Sequence, residues 1–175
     1  MEMERENRLL LAALLYEQGH PRRTQHILKV YALAKLIGEG EALVPEELEI
    51  VAAAAILHDI PIRRCKERYG DACQENQRRE APEMVESFLQ EAGYPAGVSQ
   101  KVLPLVLLHH QYGEAGRDRK LRILMEADLL VNDLEKEEPV SPERFQSFFQ
   151  TATGRQLAKA MSKRPGSCDA FPASE

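Results

Sequence analysis

Ile50-Val51-Ala52-Ala53-Ala54-Ala55-Ile56-Leu57 holds eight residues without a polar side chain and runs straight into His58 and Asp59. Ala and Leu are strong helix formers, so the run predicts a helix covered by protein on most sides. Pro61 cannot continue that helix, which should end near Asp59. A helix C-terminus exposes carbonyls and carries partial negative charge, so an aspartate there calls for a cation beside it. Buried and unpaired, the carboxylate would cost several kcal/mol or give up its charge. The rest of the chain has to supply the remainder of a cage around this helix end.

The chain is 175 residues long, enough for one domain with its own core. Hydrophobic residues make up 43%, aromatics only 6%, and there is no Trp, so Leu and Ala must do most of the packing. That balance suits helices on helices and predicts an all-α fold. A formal net charge of −5 offers no overall attraction to nucleic acid or to anionic membranes. No apolar run approaches the ~18 residues of a membrane helix. The three Cys (65, 73 and 168) form no CxxC, and Glu2, Glu4 and Glu6 crowd the start against a signal-peptide pattern. A cytoplasmic protein with reduced thiols is the expectation, its Cys serving packing or surface roles.

Apolar spacing predicts helices over 3–18, 21–38, 45–59, 75–92, 98–110 and 120–135, with two more near 142–150 and 153–163. Gly38 and Gly40 should close the second helix, and Pro104 should kink the fifth or mark its true start. Residues 60–69 read as a short charged segment and 111–118 as a loop. The domain should span 1–164, its motif-bearing core 20–135, with 165–175 a frayed tail.

Asp128 is the second anomaly, because its neighbours one and two turns away are Leu121, Leu124, Met125 and Val131. An Arg could cap either Asp128 or Asp59. The histidines shift that balance: His26, His58, His109 and His110 each stand at the end or edge of an apolar helical run. Imidazole with carboxylate suits a transition metal.

The order His26, His58-Asp59, Asp128 resembles the signature of the HD-domain superfamily of metal-dependent phosphohydrolases. Arg22-Arg23-x-x-His26, Ala-Ile-Leu-His58-Asp59-Ile, Leu-Leu-His109-His110 and Glu126-Ala-Asp128 agree with it. The resemblance implies a compact helical bundle holding Fe, Mn, Co, Ni or Zn between His26, His58, Asp59 and Asp128. It also implies a cavity wall at Gln77 and Glu80-Ala81-Pro82, where a small bacterial subgroup carries Glu-Gly-Pro. Glu80 is then a candidate general base alongside Asp59; otherwise it simply favours the start of its helix. Such proteins with two metals usually carry a further His between the HD pair and the double His. None stands between residues 60 and 108, which argues against a second metal. His109 and His110 could still bind one, or hydrogen-bond a phosphate.

Three Arg pairs, Arg22-Arg23, Arg63-Arg64 and Arg78-Arg79, each lie within six residues of a proposed site residue. Guanidinium grips phosphate oxygens in a two-pronged way, so Arg22, Arg23, Arg63, Arg78 and Arg79 are candidate phosphate ligands. No Gly-rich phosphate loop, GxSxG elbow or Cys/His nucleophile setting competes. The expected function is metal-dependent hydrolysis of a small phosphate ester, a nucleotide foremost. The alternative is a non-catalytic nucleotide sensor or scaffold that keeps the metal. A nucleic-acid duplex and a membrane are not expected partners, and a homodimer stays open.

Overall fold

The computed structural model describes residues 3–135 and 145–161, and among them there are helices and no strand. In chain order the helices are α1 (Arg5–Tyr16), α2 (Pro21–Gly40), α3 (Pro45–Leu57), α4 (Pro61–Tyr69), α5 (Gln74–Glu91), α6 (Val98–Leu108), α7 (Arg119–Glu135) and α8 (Ala152–Met161). A 3-10 turn at Tyr112–Glu114 sits in the expected loop. None of these helices is long and apolar enough to cross a membrane.

The apolar run forms the C-terminal part of α3, and every residue from Ile50 to Leu57 is buried. Helix α3 is covered by α1, α2, α6 and α7, while α2 and α7 also lie against each other. Small Ala side chains at 53–55 let these neighbours approach closely, and the larger Ile56, Leu57, Leu124 and Leu130 fill the space between them. Since the run has no polar face, the helix has no solvent side to turn outward. The polar residues lie before and after the run, with Glu46, Glu47 and Glu49 in the first turns of α3 and His58 and Asp59 at its end.

Residues 60–69 depart from the expectation. Only three residues separate α3 from α4, which Pro61 opens at its first turn and Gly70 closes at φ 84°. Pro61 and Cys65, one turn apart, face the interior, and that short apolar stripe suffices to dock a charged helix. Gly38 is another departure, since α2 runs on to Gly40. A Cβ at Gly38 would lie 2.8 Å from Leu48 Cδ1, so the glycine marks a close approach to α3 and not a stop. Helix α6 begins at Val98 and runs through Pro104, just as α5 runs through Pro82.

Helix α8 is tied to α7 by Glu126, whose buried carboxylate accepts the backbone N–H groups of Gln150 and Thr151 at 2.7 and 3.0 Å. Part of the helix expected near 142–150 lies outside the described residues; Phe145 and Gln146 are helical and the chain turns after them. Cys65 is buried and Cys73 exposed, while Cys168 and the expected tail lie outside the described residues.

Candidate metal centre

Three helices deliver the polar residues to one point. His58 occupies the C-cap of α3, Asp59 the turn after it, His26 the second turn of α2 and Asp128 the middle of α7. His26 Nε2 stands 3.1 Å from His58 Nε2, 3.2 Å from Asp128 Oδ1 and 3.8 Å from Asp59 Oδ2. His58 Nε2 lies 3.6 Å from Asp59 Oδ2 and 3.7 Å from Asp128 Oδ1. Donor atoms about 2.1 Å from one cation sit roughly 3 Å apart when adjacent; His26, His58 and Asp59 offer donors within 4.8 Å of one another, and Asp128 Oδ1 stands beside both imidazoles.

The hydrogen positions are set by the partners. A carbonyl can only accept, so His58 Nδ1–H donates to Ala55 O at 2.7 Å and leaves Nε2 with a lone pair. His26 turns Nδ1 to Glu135 Oε2 at 3.2 Å, and Lys29 holds the other Glu135 oxygen at 3.1 Å. Both Nε2 atoms then face each other and two carboxylates. Such backing from the far ring nitrogen is the usual orientation of a metal-binding imidazole.

Helix α6 repeats the device. His109 caps it and donates Nδ1–H to Val106 O at 2.7 Å, freeing a buried Nε2 that points at Asp59 Oδ1, 3.6 Å away. His110 Nε2 is 4.0 Å from the same oxygen. Asp59 therefore serves two groups, His26 and His58 through Oδ2, and His109 and His110 through Oδ1. In each group the donor atoms lie within 4.8 Å of one another. The sequence argued against a second ion from the missing His; the structure assembles a second set of donors without it.

Burial opposes charge on all these groups, and the neighbours decide the outcome. At His58 burial wins and the imidazole stays below its ordinary pKa. At His26 burial is outweighed by Asp128, Asp59 and Glu135, and at His109 by Asp59, so both rise. His110 is lowered, by burial and then by His109. Both aspartates fall below the ordinary carboxylate range despite burial, Asp59 through His58, His109 and His26, and Asp128 through His26, His58 and His109.

The residues present fit a divalent cation. A proton on His26 would satisfy that nitrogen, yet Asp59 Oδ1, His109 Nε2 and Asp128 Oδ2 remain buried without a hydrogen bond. Buried polar atoms are almost always partnered. Two anionic oxygens and an imidazole lone pair all ask for positive charge, and imidazole with carboxylate is the donor chemistry of Fe, Mn, Co, Ni and Zn.

Other sequence candidates are distributed differently. Arg22 and Arg23 line a cavity of about 280 Å³ together with His26, Asp59, Glu135 and Lys66. Arg23 is engaged by the buried Glu17 at 3.1 Å, and Arg22 stands 4.0 Å from Glu135. Arg78 borders a slot of about 10 Å³ beside His109 and His110, with room for about one water. Arg63 turns away to Glu67 and the Tyr16 carbonyl, and Arg79 to Glu75, so neither reaches the centre.

Glu80 is not brought into the cluster. Its carboxylate accepts from Tyr69 Oη at 2.6 Å and Arg68 Nη1 at 3.0 Å, with Arg64 Nη1 at 3.5 Å. The Tyr69 hydroxyl, Arg68 and Arg64 hold its pKa below the ordinary range against burial. A carboxylate gripped in this way ties α5 to α4, turned toward Arg64, Arg68 and Tyr69. Glu135, which contacts His26, and Lys66, which lines the cavity, are the residues that sequence reasoning missed. Glu135 had a signal, two turns beyond Asp128 on the same face of α7.

The family model of the HD domain matches residues 23–133, more than half of the chain. No curated protein and no solved structure matches it.

Proposed function

The chain belongs to the HD-domain family, and from that premise we propose that it is a metal-dependent phosphohydrolase acting on a small phosphate ester, a nucleotide foremost. The observation that carries the reading is the convergence of His26, His58, Asp59 and Asp128 on one point, with orphaned donor atoms beside it. These four would hold the cation, which when bound supplies Lewis acidity to a water and to a phosphoryl oxygen.

The chain's own groups account for the rest. Asp59 Oδ1 has no hydrogen bond and faces His109 Nε2, so it can take a proton from an attacking water. His109, whose tautomer Val106 fixes, offers a neighbouring acceptor, and its protonated form offsets charge on Asp59. Helix-end carbonyls at Ala55 and Val106 keep both imidazoles from rotating. The 280 Å³ cavity receives the substrate at the His26 side, where Arg22 and Arg23 stand at its wall. With Glu80 held by α4, Asp59 is the base of choice.

A second reading of the Oδ1 side has its own support. Asp59, His109 and His110 form a three-donor group, so a second cation could be held there. Metal content of the purified chain separates one ion from two. A screen of the loaded chain against phosphate monoesters and diesters tests the activity: hydrolysis abolished by chelator is expected. Metal uptake with no hydrolysis of any ester would favour a sensor or scaffold that keeps the ion.

A further inference from the structure

Helix α4 has two working faces. Arg64, Arg68 and Tyr69 turn toward α5 and close on the buried carboxylate of Glu80. Ile62 and Lys66, one helical turn apart, turn the other way and line the cavity that also contains His26 and Asp59. Because α4 starts two residues after Asp59 and is clamped by Glu80, the Lys66 backbone is fixed relative to the centre.

Cations at that cavity are not equivalent. Arg23 is neutralised by Glu17 at 3.1 Å and Arg22 lies at 4.0 Å from Glu135, while Arg22 and Lys66 are both exposed. Glu135 already faces His26 and Lys29. Among the described residues, the Lys66 ammonium alone of the cavity's cations has neither a side-chain hydrogen bond nor an ion pair. A lysine carries a compact charge with three donors on a flexible stem, which suits a phosphate oxygen whose position varies between substrates.

We infer that Lys66 is a phosphate-binding residue of this site, gripping the substrate's anionic group from the α4 wall. This rests on the phosphohydrolase reading, and it moves the main phosphate contact away from the Arg pairs. Arg63 and Arg79 are engaged elsewhere, and Arg23 would have to leave Glu17 first.

The test is calorimetric titration of the full chain with inorganic pyrophosphate, metal-loaded and metal-free, for wild type, Lys66→Ala, Lys66→Arg and Lys101→Ala. Lys101 pairs with Glu46 away from the cavity and serves as the control. Lys66→Ala should weaken binding about tenfold, the size of a lost charge-assisted hydrogen bond. Lys66→Arg should restore most of the affinity, Lys101→Ala should match wild type, and metal content should be equal in all four. Wild-type affinity in Lys66→Ala, or a loaded wild type that binds no pyrophosphate, overturns the assignment. If the chain takes up no metal, the phosphohydrolase reading fails instead. The metal-free titration then decides Lys66 by itself: a loss in Lys66→Ala keeps the assignment, and no loss overturns it.

Discussion

The ends of α3 and α6 are built alike: each apolar helix stops at a histidine whose Nδ1–H returns to the carbonyl three residues back, at 2.7 Å in both. In each case the side chain caps one of the helix's own unpaired carbonyls and thereby fixes which nitrogen is free. The two ends diverge at the next residue. At α3 it is Asp59, and His26 and Asp128 arrive from two other helices to face His58 Nε2. At α6 it is His110, and His109 Nε2 faces Asp59 Oδ1, borrowed from the first end. One end gathers donors from three helices, and the other depends on it for its carboxylate. Asp59 should therefore matter to both ends, His58 to the first and His109 to the second.

The largest effect should come from Asp59→Asn, which keeps the size and removes the shared charge. Metal affinity should fall by at least the ~10–100-fold that loss of an outer-shell partner costs. Turnover on any ester that wild type hydrolyses should fall by about 10²–10⁴-fold, the range for a lost base. Retention of both metal and turnover would mean that Asp59 does not join the two ends.

Stability on chelation should come next. A cation that binds only the folded chain raises its melting temperature, so chelator should lower that of wild type. His109→Ala should still respond to chelator, since the α3 set is intact, whereas Asp128→Asn should respond little. Equal responses in all three would remove Asp128 from the ligand set.

A smaller effect is expected at Glu80. Glu80→Gln should leave metal content and turnover near wild type while lowering stability by about 1 kcal/mol, as a charge-assisted bond is weakened. Its folded pKa is depressed, chiefly by Tyr69 and then by the Arg68 and Arg64 charges against burial. The contribution is thus present above the ordinary glutamate pKa and lost as pH falls through the folded value. Denaturant curves of wild type and variant should converge on acidification. A large loss of turnover with stability unchanged would return Glu80 to the mechanism. The smallest effects belong to Arg63→Ala and Arg79→Ala, which should leave metal binding and turnover unchanged and stability within about 0.5 kcal/mol.

The α3 end was legible because an apolar run that stops at His-Asp leaves the carboxylate nowhere to go without a cation. Asp128 was legible for the same reason, as a charge on an apolar stripe. Directions of surface side chains were not. Arg63 and Arg64 are adjacent, but successive residues on a helix diverge by about 100°. The pair therefore splits, Arg63 to the Tyr16 carbonyl and Arg64 to Glu80. Helix α4 was missed because its buried stripe is only Pro61 and Cys65, too short to stand out among charges. Glu80 was a candidate base through the family resemblance, and only the tertiary contact with Arg68 and Tyr69 shows where its oxygens go.

The central claim is that the donor atoms at the end of α3 hold a divalent cation. Calorimetric titration of the metal-free chain with Mn²⁺ tests it directly, comparing wild type with His58→Ala and His109→Ala. The account predicts a saturable uptake by wild type that persists in His109→Ala and disappears in His58→Ala. No uptake by wild type, or equal uptake by wild type and His58→Ala, would contradict it.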